Sequence, residues 1–82
     1  MTNGLDQEAQ RKHLIELVTT RMPYGKYEGW FLCDLPEPYL SWYHSKGFPP
    51  GNIGSLLSSI YEIKLNGLEY LLKPLKEAAR RQ

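Results

Sequence analysis

The chain has 82 residues, which is the size of one domain (1–82) and leaves no room for a second core. Ten Lys and Arg against nine Asp and Glu give a formal charge of +1, which excludes bulk electrostatic attraction to nucleic acid, acidic membrane or acidic substrate and leaves anion binding to local groups. Cys33 is the only cysteine, so no intrachain disulfide forms, and no apolar run approaches the roughly 18 residues of a membrane span; the expectation is a protein of the cytoplasm that does not enter membranes.

In chain order, the first element is a helix over about 6–20, capped by Asn3 or Asp6, with Glu8 near its start. Leu14, Leu17 and Val18 form its apolar stripe, Ile15 and Met22 reach inward, His13 is an ordinary surface histidine and Pro23 closes the element. Next, "MPYGKYEGWFLCDLP" reads as a short β-hairpin over about 22–33, because Gly25 and Gly29 bracket Lys26-Tyr27-Glu28 and "WFLC" favours extended backbone. A helix over about 36–46 follows: Pro36 fits a first turn, Asp34 and Glu37 cap and compensate its dipole, and Gly47 suits the left-handed position at its end. Leu40 and Tyr43 face inward there, flanked by Tyr39 and Trp42.

"FPPGN" is a rigid connector through Pro49, Pro50 and Gly51. Ile53, Leu56, Leu57 and Ile60 then mark a helix over about 53–65, capped by Asn52 and ended by Asn66-Gly67. A last helix over about 68–80 is kinked or split by Pro74. The fold class expected is α+β and mainly helical, a short β-hairpin packed against three or four helices. Its core is Leu14, Val18, Trp30, Leu40, Tyr43, Leu56, Ile60 and Leu71, with most aromatic rings inside because a domain this small has few other large residues.

Catalytic chemistry finds little to work with. Cys33 sits in an apolar run, where a small buried hydrophobe is the simpler reading than a nucleophile beside His13 or His44. One Cys and two His fall short of a zinc set, and no cofactor motif occurs; "YGKYEG" lacks the pattern of a phosphate loop. The chain is therefore expected not to be an enzyme. For binding, the candidates are Tyr24, Lys26, Tyr27, Trp30, Trp42 and Phe48, held by the rigid positions Gly25, Gly29, Asp34, Pro36, Gly47, Pro49 and Gly51. Lys26 at a hairpin tip would contact a phosphate while a ring stacks on an exposed base. Lys73, Lys76 and Arg80, with Arg81 beside them, share a face blunted by Glu69 and Glu77.

"MPYGKYEGWFLCDLPEPYLSWYHSKGFPPGNIG" together with "EIKLNGLEYLL" resembles a small bacterial family of unknown function labelled "putative quorum-sensing-regulated virulence factor", over about residues 21–75. That label describes regulation and phenotype and implies no molecular activity. The pattern F-G-K-Y/H-K-G, then L-P and Y-L-x-W, is also similar to the appendage that follows the nuclease domain in some DnaQ-like exonucleases. This second resemblance implies a role near nucleic acid, carried by Lys26 and the aromatics. Tyr24 stands here for the usual Phe, Glu28 for a common second lysine, and the nuclease carboxylates have no counterpart. The functional expectation is a small non-catalytic binding module, with nucleic acid as one partner class and a protein partner or homodimer as the alternative.

Overall fold

A computed structural model of the chain describes residues 4–80, with side chains from residue 7 onward. Four helices carry it: α1 (Gly4–Thr19), α2 (Glu37–Lys46), α3 (Asn52–Leu65) and α4 (Lys73–Arg80), with short 310 turns at Leu32–Asp34 and Glu69–Leu72. α1 packs against α3 and α4, and α2 against α3. The N-terminal cap expected at Asn3 lies outside the described residues, as does Arg81, while Asp6 falls inside α1 rather than at its start.

α3 is the central element because its apolar residues recur at positions 53, 56, 57 and 60, one face of a 3.6-residue period. Leu56, Leu57 and Ile60 are fully buried along that face, and Gly54 lets the helix approach the Pro49 backbone. α1 adds Leu17 and Val18, α2 adds Leu40, and Leu72 closes the core from the second 310 turn. The rest comes from the segment between α1 and α2: Met22 and Leu35 from irregular chain, and Leu32 and Cys33 from the first 310 turn. Each fully buried aliphatic side chain of this kind contributes about 1.5–3 kcal/mol by leaving water.

The expected α+β class is overturned: the fold is all-α, and the hairpin over 22–33 is absent. A single bridge joins Arg21 to Phe31, backed by Met22 N–H donating to Trp30 O at 2.7 Å and Leu32 N–H to Thr20 O at 3.0 Å. Pairing stops there because Trp30 N–H, which would complete the Met22–Trp30 pair, bonds Tyr27 O instead, while Gly29 N–H takes Met22 O at 2.8 Å and Glu28 N–H bonds Gly25 O. Residues 22–30 are thus a looped excursion pinned at its neck.

The expectation that most rings fill the core is met only at its margin: the fully buried apolar set is Leu, Ile, Val, Met and Cys, while Tyr27, Phe31, Tyr39, Tyr43, Phe48 and Tyr61 pack half-buried against it. Trp30 is 48% exposed, and Leu14 and Leu71 are exposed as well. α1 meets the core only through its last turns, leaving Leu14 at a groove mouth and Ile15 in solvent. Leu71 precedes the buried Leu72 on a 310 turn, whose three residues per turn point neighbours about 120° apart.

Neither expected side-chain cap forms. α2 begins after Pro36 with Glu37 in its first turn, and Asn52 lies inside α3, where its amide reaches Glu16 rather than its own helix. Asp34 instead ties the α1–α2 connection to α4: its carboxylate accepts from Lys76 Nζ at 3.0 Å and Arg80 Nη2 at 3.1 Å. Partial burial pushes the Asp34 carboxyl up, but the Lys76 hydrogen bond and the charges of Lys76 and Arg80 outweigh it and hold the group below its ordinary range. The split expected at Pro74 is present, the 310 turn at Glu69–Leu72 handing over to α4 one residue before that proline.

Candidate functional site

The pinned loop and α2 meet along a strip of rings. On α2, Leu40 takes the inward position, so Tyr39, Trp42 and Tyr43, spaced one, three and four apart from one another, form a stripe beside it at the edge of the core. The loop brings Tyr24, Gly25, Lys26 and Tyr27 over that stripe. Gly25 turns at φ 84°, a left-handed conformation strained for any side chain, which lets the backbone pass beneath the Tyr39 hydroxyl. Gly29, Gly47 and Gly51 also hold positive φ.

Between loop and helix lies an open cavity of about 670 Å³, walled by Tyr24, Lys26, Tyr27, Pro38, Tyr39, Trp42 and Tyr43 with the Gly25 backbone. That volume falls in the range of small-ligand sites. Tyr27 stands edge-on to Tyr39 at 4.7 Å, and Tyr39 lies nearly parallel to Trp42 at 6.0 Å between centroids and 25° between planes. Trp30 extends the strip by an edge contact to Tyr27 at 4.8 Å. Among the described residues Lys26 supplies the one charge on the wall, its ammonium 5.6 Å from the Tyr27 centroid, and no carboxylate lines the cavity.

Behind the stripe the rings continue. Tyr43 contacts Phe48, and Phe48 meets both His44 and Tyr61, which stack at 4.5 Å and 15°. Phe48 is half-buried as a support of this arc rather than a wall of the cavity. Of the six expected binding residues, the fold therefore assembles Tyr24, Lys26, Tyr27 and Trp42 around one space, sets Trp30 at its rim, and places Phe48 in the second layer. Pro38, Tyr39 and Tyr43 were missed as wall residues. The spacing of 39, 42 and 43 carried that signal once Leu40 was fixed as the inward position.

Two phenols on the wall are held above the ordinary tyrosine value. A hydrogen bond with the Tyr24 hydroxyl at 3.4 Å, partial burial and the neighbouring phenols push Tyr43 up to about 12, and burial with the adjacent Tyr24 and Tyr27 phenols raises Tyr39. Because the folded pKa of Tyr43 lies above its unfolded value, the contribution is fully present below about pH 10 and is lost as pH rises through the folded pKa. A spectrophotometric titration is expected to show a phenol ionising at about 12, moved back toward the ordinary value by Tyr24→Phe. A titration unchanged by that substitution would contradict the pairing.

Cys33 is buried, with its sulfur 3.7 Å from Arg80 Nη2 and 3.9 Å from Asp34 Oδ1; desolvation and the Asp34 charge raise its pKa, consistent with a packed thiol. His13 bonds Ser59 and His44 stacks on Tyr61, so each imidazole has a local partner of its own. Among the described residues no group of three metal-ligating side chains converges, and no helix is long and apolar enough to cross a membrane.

The family described as "Putative quorum-sensing-regulated virulence factor" matches residues 10–75, a span that contains the whole ring-lined cavity. The chain belongs to that family. Two curated relatives, both called "Uncharacterized protein YpeB", come from Escherichia coli strain K12 and Escherichia coli O157:H7. Each is 47% identical over 68 residues, covering 82% of this chain and 94% of the relative. No solved structure matches the chain. That family description names a mode of regulation and a phenotype and no molecular activity.

Proposed function

We propose that this chain is a small, non-catalytic cytoplasmic module that binds single-stranded nucleic acid, with an unpaired base stacked on the cavity rings and Lys26 against the adjoining phosphate. The observation that carries the reading is the convergence of Tyr27, Tyr39 and Trp42 with one ammonium in an open cavity whose wall holds no carboxylate. Base stacking on such rings contributes about 1–3 kcal/mol per base and accepts any base, because every base has a π-face. The phenols of Tyr39 and Tyr43, both held above the ordinary tyrosine value, add donors for base edges and phosphate oxygens. The similarity of the "YGKYEG…LP…YLSW" segment to the appendage of some DnaQ-like exonucleases supports the same reading, and a buried free thiol fits a reducing compartment.

The test is fluorescence anisotropy with a labelled oligothymidylate. Binding is expected at low ionic strength, weakening as salt rises, and Lys26→Ala is expected to lower the slope of log K against log salt by about 0.7, the value for one lost single-strand phosphate contact. Binding indifferent to salt, or no binding to single-stranded or duplex DNA, would remove the reading.

A second reading, a protein partner or homodimer, is favoured by a different surface. Leu14 and Leu68 border a groove of about 300 Å³ between α1 and the end of α3, and Leu65, Tyr70 and Leu71 expose further apolar area there and in the segment that follows. A monomer mass by light scattering across a wide concentration range would sink the homodimer version.

A further inference from the structure

The basic side chains that look scattered in the sequence are gathered by the fold at the far side of Trp30. Arg21 and Arg80, 59 positions apart, both place their guanidinium carbons 4.2 Å from the centroid of the Phe31 ring. Arg21 also donates from Nη1 to Gly29 O at 2.7 Å, which fixes it beside the residue preceding Trp30. On the other side, Arg80 borders a shallow depression of about 340 Å³ together with Lys73, Lys76 and Glu77. The face so formed holds four basic side chains against Asp34 and Glu77, in a protein whose net charge is only +1.

A guanidinium lying on a ring is already ordered, so little side-chain freedom is lost when it takes a ligand, and its N–H edge is the fork that matches phosphate. Asp34 occupies part of that capacity on Arg80 and Lys76, whereas Arg21 is exposed and joins no ion pair among the described residues. Trp30 links the two regions: it touches Tyr27 of the cavity on one side and is followed in the chain by Phe31 on the other. Rings and cations therefore occur in two neighbouring groups, Lys26 with Tyr27 and Trp30, and Arg21 and Arg80 with Phe31, joined by the chain step from Trp30 to Phe31. Tracking a single strand uses the same two kinds of group, platforms for bases and charges for the backbone.

We propose that Arg21 and Arg80, seated on Phe31, form a phosphate-binding station for the same strand, which leaves the aromatic cavity over Trp30 and continues onto the basic face. The inference rests on the nucleic-acid reading of the cavity and adds the direction of the strand and a longer footprint. Arg21 is the residue to test, because Arg80 also anchors α4 through Asp34, and its loss would disturb the fold.

The experiment measures binding of labelled oligothymidylates of three and twelve nucleotides to the wild type, Arg21→Gln and Trp42→Ala, with circular dichroism as the check on folding. Arg21→Gln is expected to weaken the twelve-nucleotide probe several-fold and lower its salt slope by about 0.7, while leaving the three-nucleotide probe unchanged. Trp42→Ala is expected to weaken both. If Trp42→Ala weakens both probes and Arg21→Gln weakens neither, or weakens both alike, the cavity reading stands and the station is overturned. If the wild type binds neither probe at low salt, both fall.

Discussion

Replacing Trp42 by alanine is expected to weaken binding of a single-stranded oligonucleotide by roughly 5- to 150-fold, the equivalent of the 1–3 kcal/mol that one stacked base supplies. The effect is large because Trp42 is the widest platform on the cavity wall and lies nearly parallel to Tyr39, so its loss removes one face of the stack and leaves the other unsupported. The fold is expected to survive, since Trp42 is 54% exposed and contributes none of the fully buried core. What stability it adds comes from its contacts with Tyr39 and Tyr43, at about 0.5–1.5 kcal/mol for an aromatic pair. Anisotropy with an oligothymidylate measures the first effect and a thermal melt the second. Unchanged affinity in a folded Trp42→Ala protein would remove the cavity from the account, whereas Trp42→Phe is expected to keep most of the binding because it keeps a ring.

Gly54→Ala is expected to unsettle the whole domain. Alanine inside a helix ordinarily stabilises it relative to glycine by about 1 kcal/mol. At position 54 a Cβ would run into the carbonyl oxygen of Pro49, a backbone atom of a connector whose next residue is a second proline. Neither side yields easily: α3 is fixed by Leu56, Leu57 and Ile60 in the core, and the prolines fix their own φ angles. Overpacking of this kind costs about 1–3 kcal/mol or more, and the collision is with backbone, so a net loss of about 2 kcal/mol is expected, lowering Tm by roughly 8–16 °C. The shift would also loosen Phe48 from Tyr43 and Tyr61, reaching the cavity from behind. Ser55→Ala, at an exposed position of the same helix, is expected to leave Tm within a degree or two; equal melts for both variants would contradict the close approach.

The elements legible in the sequence were those written in local period and punctuation. Ile53, Leu56, Leu57 and Ile60 announce α3, Asn66-Gly67 ends it, Gly47 ends α2, and Pro74 divides the last helical segment, because each of these acts within one or two turns of chain. The hairpin was misread because glycines and aromatics in "YGKYEGWF" are shared by hairpins and by looped turns. The deciding facts are the Trp30 amide, which turns to Tyr27 O instead of closing the pair with Met22, and the other local turn bonds of residues 25–30, which leave one bridge between Arg21 and Phe31.

Which rings of the aromatic strip stay exposed is hidden from the sequence for a related reason. In irregular backbone and a single 310 turn there is too little period to say which side chains turn inward, and here Met22, Leu32, Cys33 and Leu35 do so while Tyr24 and Trp30 remain exposed. Tertiary pairings lay beyond reach altogether: Asp34 meets Arg80 across 46 positions, and Arg21 and Arg80 meet only over the ring of Phe31. The candidate residues Tyr24, Lys26, Tyr27 and Trp42 could be named from composition and motif, but their convergence on one space could not.

The central claim is that an unpaired base enters the cavity between the pinned loop and α2. Two-dimensional 1H–15N NMR of the labelled protein during titration with oligothymidylate tests it most directly, since both indole N–H groups and the loop amides report separately. The account predicts that the Trp42 indole and the amides of Gly25, Lys26 and Tyr27 shift first and furthest, with Trp30 following. Shifts confined to the α1 and α3 groove around Leu14 and Leu68, or a spectrum that does not change, would contradict it.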